Sequence, residues 1–284
     1  EPLLGMALLM LTFFVVVMGC GGLALSGWGL WTGRIRGLLR FPSGRLPSWS
    51  IGELARIAAM TVMVAALLPM LTLPFHGEPT GGGGDPRLWM TVSMLVLDVF
   101  VILLILTFAV GKGPSAWKMV GLSGRRFWSS IATGFRGYLA VFPWLFILLA
   151  LIVELARSLG LKPPVEPIQQ LIFQEHRPAV LGLVVLLACV IGPVAEECFF
   201  RGVLYAALRQ RLSRPVAMVL SGTAFSLVHT NPVGFVPITV LGCLLAYLYE
   251  RTGSLASPLA IHIVHNTVLM SLALVMRRVL LVAG

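Results

Sequence analysis

IGPVAEECFFRGVLYAAL, residues 191–208, places two adjacent glutamates and an arginine inside a run that otherwise reads as lipid-facing helix. A charged side chain at the centre of a membrane helix costs about 2.5–3.5 kcal/mol on insertion scales, so three together mark a paired or functional site. Helical spacing divides them. Glu197 and Arg201 are i and i+4 with the acid on the N-terminal side, the orientation that pairs best on one helix face. Glu196 lies about 100° round the helix from Glu197 and points elsewhere. One glutamate is therefore neutralised by the arginine and the other is free for chemistry.

The rest of the composition agrees with a membrane setting. Of 284 residues, 58% are hydrophobic and 11% charged, against about 25% charged in soluble domains. Cys20, Cys189, Cys198 and Cys243 stand singly in apolar runs without C-x-x-C spacing, which argues against a disulfide framework or a zinc knuckle. The net charge of +10 comes from basic residues grouped between apolar segments. That pattern fixes orientation against anionic lipid headgroups and does not point to nucleic acid.

Apolar spans fall at about 3–31, 57–75, 88–111, 130–153, 179–208, 216–230, 236–250 and 256–276. The first run is too long for a signal-peptide core of roughly 7–15 residues. The expected fold class is all-α, a polytopic transmembrane bundle of about eight membrane helices. The short sixth and seventh helices are divided at TNPVGFVP, residues 230–237, where two prolines and a glycine break the helix. The glycine-rich GEPTGGGGDP, residues 77–86, lacks the Lys-Ser/Thr of a phosphate loop and reads as a turn. Segment 154–178 reads as an extramembrane or interfacial loop with some amphipathic helix, its glutamates solvated.

Lys and Arg crowd segments 32–56, 112–126 and 209–215, all on one side of an eight-span arrangement. The positive-inside rule places that side in the cytoplasm and both termini outside, with Arg277 and Arg278 as exceptions. His262 would then sit one to two turns from the cytoplasmic side. His229, at the far end of a short helix, fits that depth only if the helix tilts or its boundary moves.

The last third of the chain holds Glu196, Glu197, Arg201, His229, His262, His265 and Asn266 in apolar segments. Phe225 and His229 are i and i+4, as are His262 and Asn266, so three helices can present polar groups to one chamber. A carboxylate and an imidazole sharing a water can take its proton. Imidazole and amide N–H groups can stabilise the oxyanion formed when water attacks a carbonyl. Peptide hydrolysis needs both.

EECFFR, FSLVH and HIVHN match Glu-Glu-x-x-x-Arg, Phe-x-x-x-His and His-x-x-x-Asn in that order. Over roughly residues 179–270 the chain resembles the CPBP family of intramembrane endopeptidases, which includes the type II CAAX prenyl endopeptidases and the Abi proteins. The resemblance implies that Glu196 and His229 activate water, that His262 and Asn266 form the oxyanion site, and that Arg201 holds Glu197 in place. It divides the chain into N-terminal membrane helices 1–153, the loop 154–178 and a catalytic membrane core 179–276. It implies membrane lipid and a membrane-associated protein or peptide substrate as partners. The expected location is a cell membrane crossed several times, a bacterial inner membrane.

Other readings compete. No cofactor is expected, but Glu196, His229 and His262 would also make a three-ligand zinc site, although no His-Glu-x-x-His accompanies them. Ser221 and Ser226 lack a Gly-x-Ser-x-Gly setting. A non-catalytic scaffold or immunity protein of the same fold, or a transporter with broken helices, would also retain buried charges. Asp98 reads as an interhelical partner, Arg136 as snorkelling to the interface, and His265 as a second-tier donor or interhelical glue.

Overall fold

The computed structural model describes residues 2–32, 41, 46–72, 85–110, 112, 127–161, 167–229 and 232–283. The glycine-rich segment 77–84 and the loop cations Arg34, Arg36, Arg40, Arg45, Lys118, Arg125 and Arg126 lie outside the described residues. The described elements are all helical: α1 (Pro2–Trp31), α2 (Ile51–Thr72), α3 (Pro86–Ala109), α4 (Phe127–Ser158) and the short α5 (Pro167–Gln174). Then come α6 (Pro178–Arg209), α7 (Arg214–Leu227), α8 (Phe235–Thr252) and α9 (Ala256–Ala283). Leaving aside α5, these helices lie where the apolar runs placed spans. Among the described residues, α2, α3, α4, α6 and α9 are long and apolar enough to cross a membrane.

Local chemistry sets the helix ends. Ser50 and Glu53 form a reciprocal cap on α2, each side chain accepting the other's backbone N–H at 3.1 and 2.9 Å. Asp85 caps α3 by accepting the Arg87 N–H, with Pro86 preorganised in the first turn. Gly253 ends α8 in the left-handed region, φ 65°, which glycine adopts without a Cβ clash. The chain then dives inward: Ser254, Leu255, Ala256 and Ser257 are all buried, so α9 begins beneath the protein surface.

Two charged knots clamp the bundle at its ends. At the basic end, Glu250 of α8 accepts from Tyr205, Arg209 and Arg214, drawing α6, α7 and α8 to one carboxylate. Two of the three arginines in segment 209–215 are therefore structural as well as topological. At the other end Glu175 is 2% exposed, which overturns the expectation of a solvated glutamate at this position, whereas Glu154 of the same segment is exposed. It accepts from the backbone of His176 and Arg177 and from the Arg177 guanidinium, whose other anion is Asp85. The Arg277 side chain donates to the Glu175 carbonyl, which gives one of the two exceptional arginines of the topology a structural partner. The residues of this knot are what a carboxylate needs to leave water: several donors and a cation.

The α7–α8 hairpin is packed to backbone contact. A Cβ on Gly242 would stand 2.8 Å from the Gly222 Cα, and a Cβ on Gly222 would meet Thr239 O at 2.8 Å. Ser226 Oγ donates to Phe235 O across the break between the helices. Gly242→Ala is expected to lower stability by about 1–3 kcal/mol through overpacking, seen as a lower unfolding temperature in detergent. Gly182→Ala, with nothing within 4 Å of the added carbon, serves as the control that does not lower it.

The hydrogen bonds of the Arg177 guanidinium hold the Glu175 carboxyl down at about 2, from an ordinary 4.5. A depressed folded-state value adds stability above the ordinary value, and this contribution is lost as pH falls toward the folded one. Glu175→Gln should therefore unfold at lower temperature than the wild type at pH 7, and the gap should close between pH 4.5 and 2.

Candidate active site

Helix α6 is not a regular α-helix through its charged stretch. It widens to π geometry over Leu187–Ile191 and again over Cys198–Tyr205, on either side of the α-helical turn Gly192–Glu197. Pro193 has no N–H and its ring collides with the carbonyl four residues back. The first π segment absorbs that insertion, with the Gly192 N–H bonding to Leu187 O. A π turn leaves carbonyls without their usual partner, and such turns gather at functional sites. Here the Asn266 amide of α9 donates to Ala188 O at 2.8 Å.

The two glutamates have separate surroundings, as their spacing required. Glu197 is 1% exposed and Arg201 0%. Arg201 Nη1 donates to Glu197 Oε1 at 2.8 Å, and Nη2 donates to the Gly242 carbonyl at 3.2 Å. The guanidinium lies 4.4 Å from the centre of the Phe225 ring, a cation–π contact. The same Glu197 oxygen bonds His262 Nδ1 at 2.9 Å. Glu197 therefore positions a histidine of α9 as well as neutralising its own helix's arginine, a role the spacing did not disclose.

Glu196 is open where Glu197 is sealed, its side chain 31% exposed. Its Oε2 accepts no hydrogen bond from any described residue. It faces the Nε2 atoms of His229, at 4.0 Å, and of His262, at 3.6 Å. Both separations exceed a direct hydrogen bond, and each can be bridged by one water. His229 Nδ1 is 2.8 Å from the Phe225 carbonyl. A carbonyl only accepts, so Nδ1 carries the proton, and in the neutral ring Nε2 presents its lone pair to Glu196.

Phe225 is the spacer of the site. It is 1% exposed, with its ring 4.7 Å from His229, 5.5 Å from His262 and edge-on to Phe200. His265 bonds the hydroxyl of Tyr138 on α4 at 2.8 Å and so joins two helices. Ser221 and Ser226 spend their hydroxyls on the carbonyls of Phe200 and Phe235. Tyr138, the Ala188 and Gly242 carbonyls and the approach of Asp98 carried no motif; only the isolated charge of Asp98 in an apolar run signalled anything. No group of three His, Cys, Asp or Glu side chains among the described residues has the spacing to hold a metal ion.

Residues 178–268 match the family model described as Type II CAAX prenyl endopeptidase Rce1-like. The resemblance read from the three motifs is borne out over this segment. The chain is also 29% identical over 85 residues to the Bacillus subtilis (strain 168) protein named "Putative membrane peptidase YdiL". That stretch is 30% of this chain and 35% of the relative, so the match spans about a third of the relative's length. No solved structure matches the chain. The Rce1-like segment begins with α6 and ends inside α9, and it contains all seven motif side chains.

The sealed and open glutamates should respond differently to the same change. Glu197→Gln removes the anion that Arg201 and His262 share and leaves a buried cation unpaired, at a cost of about 3–5 kcal/mol. Glu196→Gln breaks no hydrogen bond to a described residue. Thermal unfolding in detergent should show a large loss for the first variant and little for the second.

Proposed function

We propose that the protein is an intramembrane endopeptidase that hydrolyses a peptide bond of a membrane-associated protein or peptide, with residues 179–276 as its catalytic core. The carrying observation is the unpartnered Glu196 oxygen facing two histidine Nε2 atoms inside an apolar helix bundle. The Rce1-like match over the same residues supports it. Residence in a cell membrane, a bacterial inner membrane, belongs to the same reading.

In this mechanism a water oxygen bridges Glu196 Oε2 and His229 Nε2. Glu196 takes one proton as the oxygen attacks the substrate carbonyl, while the His229 lone pair accepts the second O–H as a hydrogen bond and fixes the direction of attack. His262, its Nδ1–H held by ionised Glu197, offers Nε2–H to the oxyanion when the ring carries both protons. Asn266 has one N–H on Ala188 O and a second to offer. Glu196 then returns its proton to the leaving amine, and the carboxylate is restored. No step of this mechanism passes through a metal.

The reading is tested with a fluorogenic peptide library and purified protein in detergent, wild type against Glu196→Gln, with and without a chelator. Cleavage by the wild type that survives chelation and falls by about 100-fold or more in Glu196→Gln is the expected result. Cleavage lost to the chelator and restored by zinc would replace the glutamate mechanism with a metal one. A folded protein that cleaves nothing would point to a scaffold or transporter.

A further inference from the structure

Asp98 sits near the middle of α3, half-buried, and forms no hydrogen bond or ion pair with any described residue. It approaches α6 at Gly192, one turn before Glu196. A Cβ built on Gly192 would stand 3.6 Å from Asp98 Oδ2 and 3.9 Å from Glu196 Oε1, so both oxygens lie within 4 Å of one point. The missing side chain at Gly192 is what opens the space between them. The two oxygens of Glu196 thus face different partners: Oε2 the histidines, Oε1 the side on which Asp98 arrives.

Asp98 and Glu196 act on one another electrostatically. The other charges on the helices packed against α3 are engaged elsewhere or, for Arg56, exposed near the basic end. On α6, Glu197 and Arg201 hold each other and His262, although Arg201 also acts on Glu196, and Arg209 is bound to Glu250. On α2 the charges are Glu53, bound to Lys112 at the basic end, and Arg56 one turn further on. No cation is therefore paired with Asp98 among the described residues. Two carboxylates facing one another in a low-dielectric interior cannot both ionise cheaply, and a proton shared between them removes the repulsion.

We propose that Asp98 is a positioning residue for the reaction. As a neutral acid it donates its proton, directly or through one water, in a hydrogen bond to Glu196 Oε1, which keeps Oε2 ionised and directed at the nucleophilic water. Asp98 retains its own proton through the cycle. The proton taken from water goes to Glu196 Oε2 and leaves on the amine. The assignment rests on the peptidase reading for its role in turnover, but the proton it places on Asp98 is a property of the resting protein.

The test has two arms. Infrared spectroscopy of the purified protein should show a carboxylic-acid C=O stretch at neutral pH that disappears in Asp98→Asn. Absence of any Asp98-dependent band overturns the proposal, whether or not a substrate has been found. In turnover, Asp98→Asn, whose amide still donates, should keep kcat close to wild type and lose the alkaline limb of the pH profile that ionisation of Asp98 imposes. Asp98→Ala should lower kcat by about 10- to 100-fold through loss of alignment, with KM unchanged. An Asp98→Ala protein with wild-type kcat and pH profile overturns the proposal. If Asp98→Ala does not fold, the Asp98→Asn pH profile decides. If the wild type cleaves nothing, the peptidase reading fails, while the infrared arm still decides where the proton lies.

Discussion

A guanidinium with no access to solvent is the constraint around which the C-terminal half is arranged. Arg201 needs an anion, acceptors for its remaining N–H groups and a polarisable neighbour, because desolvating it costs several kcal/mol. It draws each from a different helix: Glu197 from α6, the Gly242 carbonyl from α8 and the Phe225 ring from α7. The Gly242 carbonyl is within reach because α8 lies against α7 at the Gly222–Gly242 contact, where any side chain would push the helices apart. Once Glu197 is fixed in this way, its oxygen fixes His262 on α9. Four helices are thereby registered by one cation, and the catalytic candidates inherit their positions from it.

The same logic explains why the helix carrying the glutamates is distorted. Pro193 and Gly192 stand just before Glu196, where a straight α-helix would be easiest to build from other residues. Their effect is a π turn whose released carbonyl at Ala188 takes the Asn266 amide. Gly192 also keeps the space beside Glu196 open to Asp98. An irregularity that costs backbone regularity thus supplies an anchor for one site residue and an approach for another.

How much of this was legible beforehand depends on the range of each interaction. The helices follow from apolar runs, which report lipid contact residue by residue, and the Glu197–Arg201 pair follows from a local four-residue spacing. The division of labour between Glu196 and Glu197 was visible for the same reason. The bond from Glu197 to His262 spans 65 positions, and that from Asn266 to Ala188 spans 78. No periodicity within one helix encodes them. Glu175 was misread because its charge partner Arg177, and the Asp85 that Arg177 also binds, look like ordinary surface charges until the fold encloses them.

The relative level of the site residues was the other difficulty, and the Glu250 knot accounts for it. Arg209 and Arg214 reach the same carboxylate, so the end of α6 and the start of α7 lie at one level. Thirteen residues back along α6, part of them in its π segment, and fifteen forward along α7 put Glu196 and His229 at comparable distances from that level, on the order of 20 Å. Helix α7, 14 residues long with His229 two residues beyond its end, is therefore the right length to place His229 beside Glu196. His262 comes only two turns into α9, but α9 itself starts inside the protein, after the turn at Gly253 and the buried residues 254–257. The common level of Glu196, His229 and His262 in the bundle follows from where each helix begins.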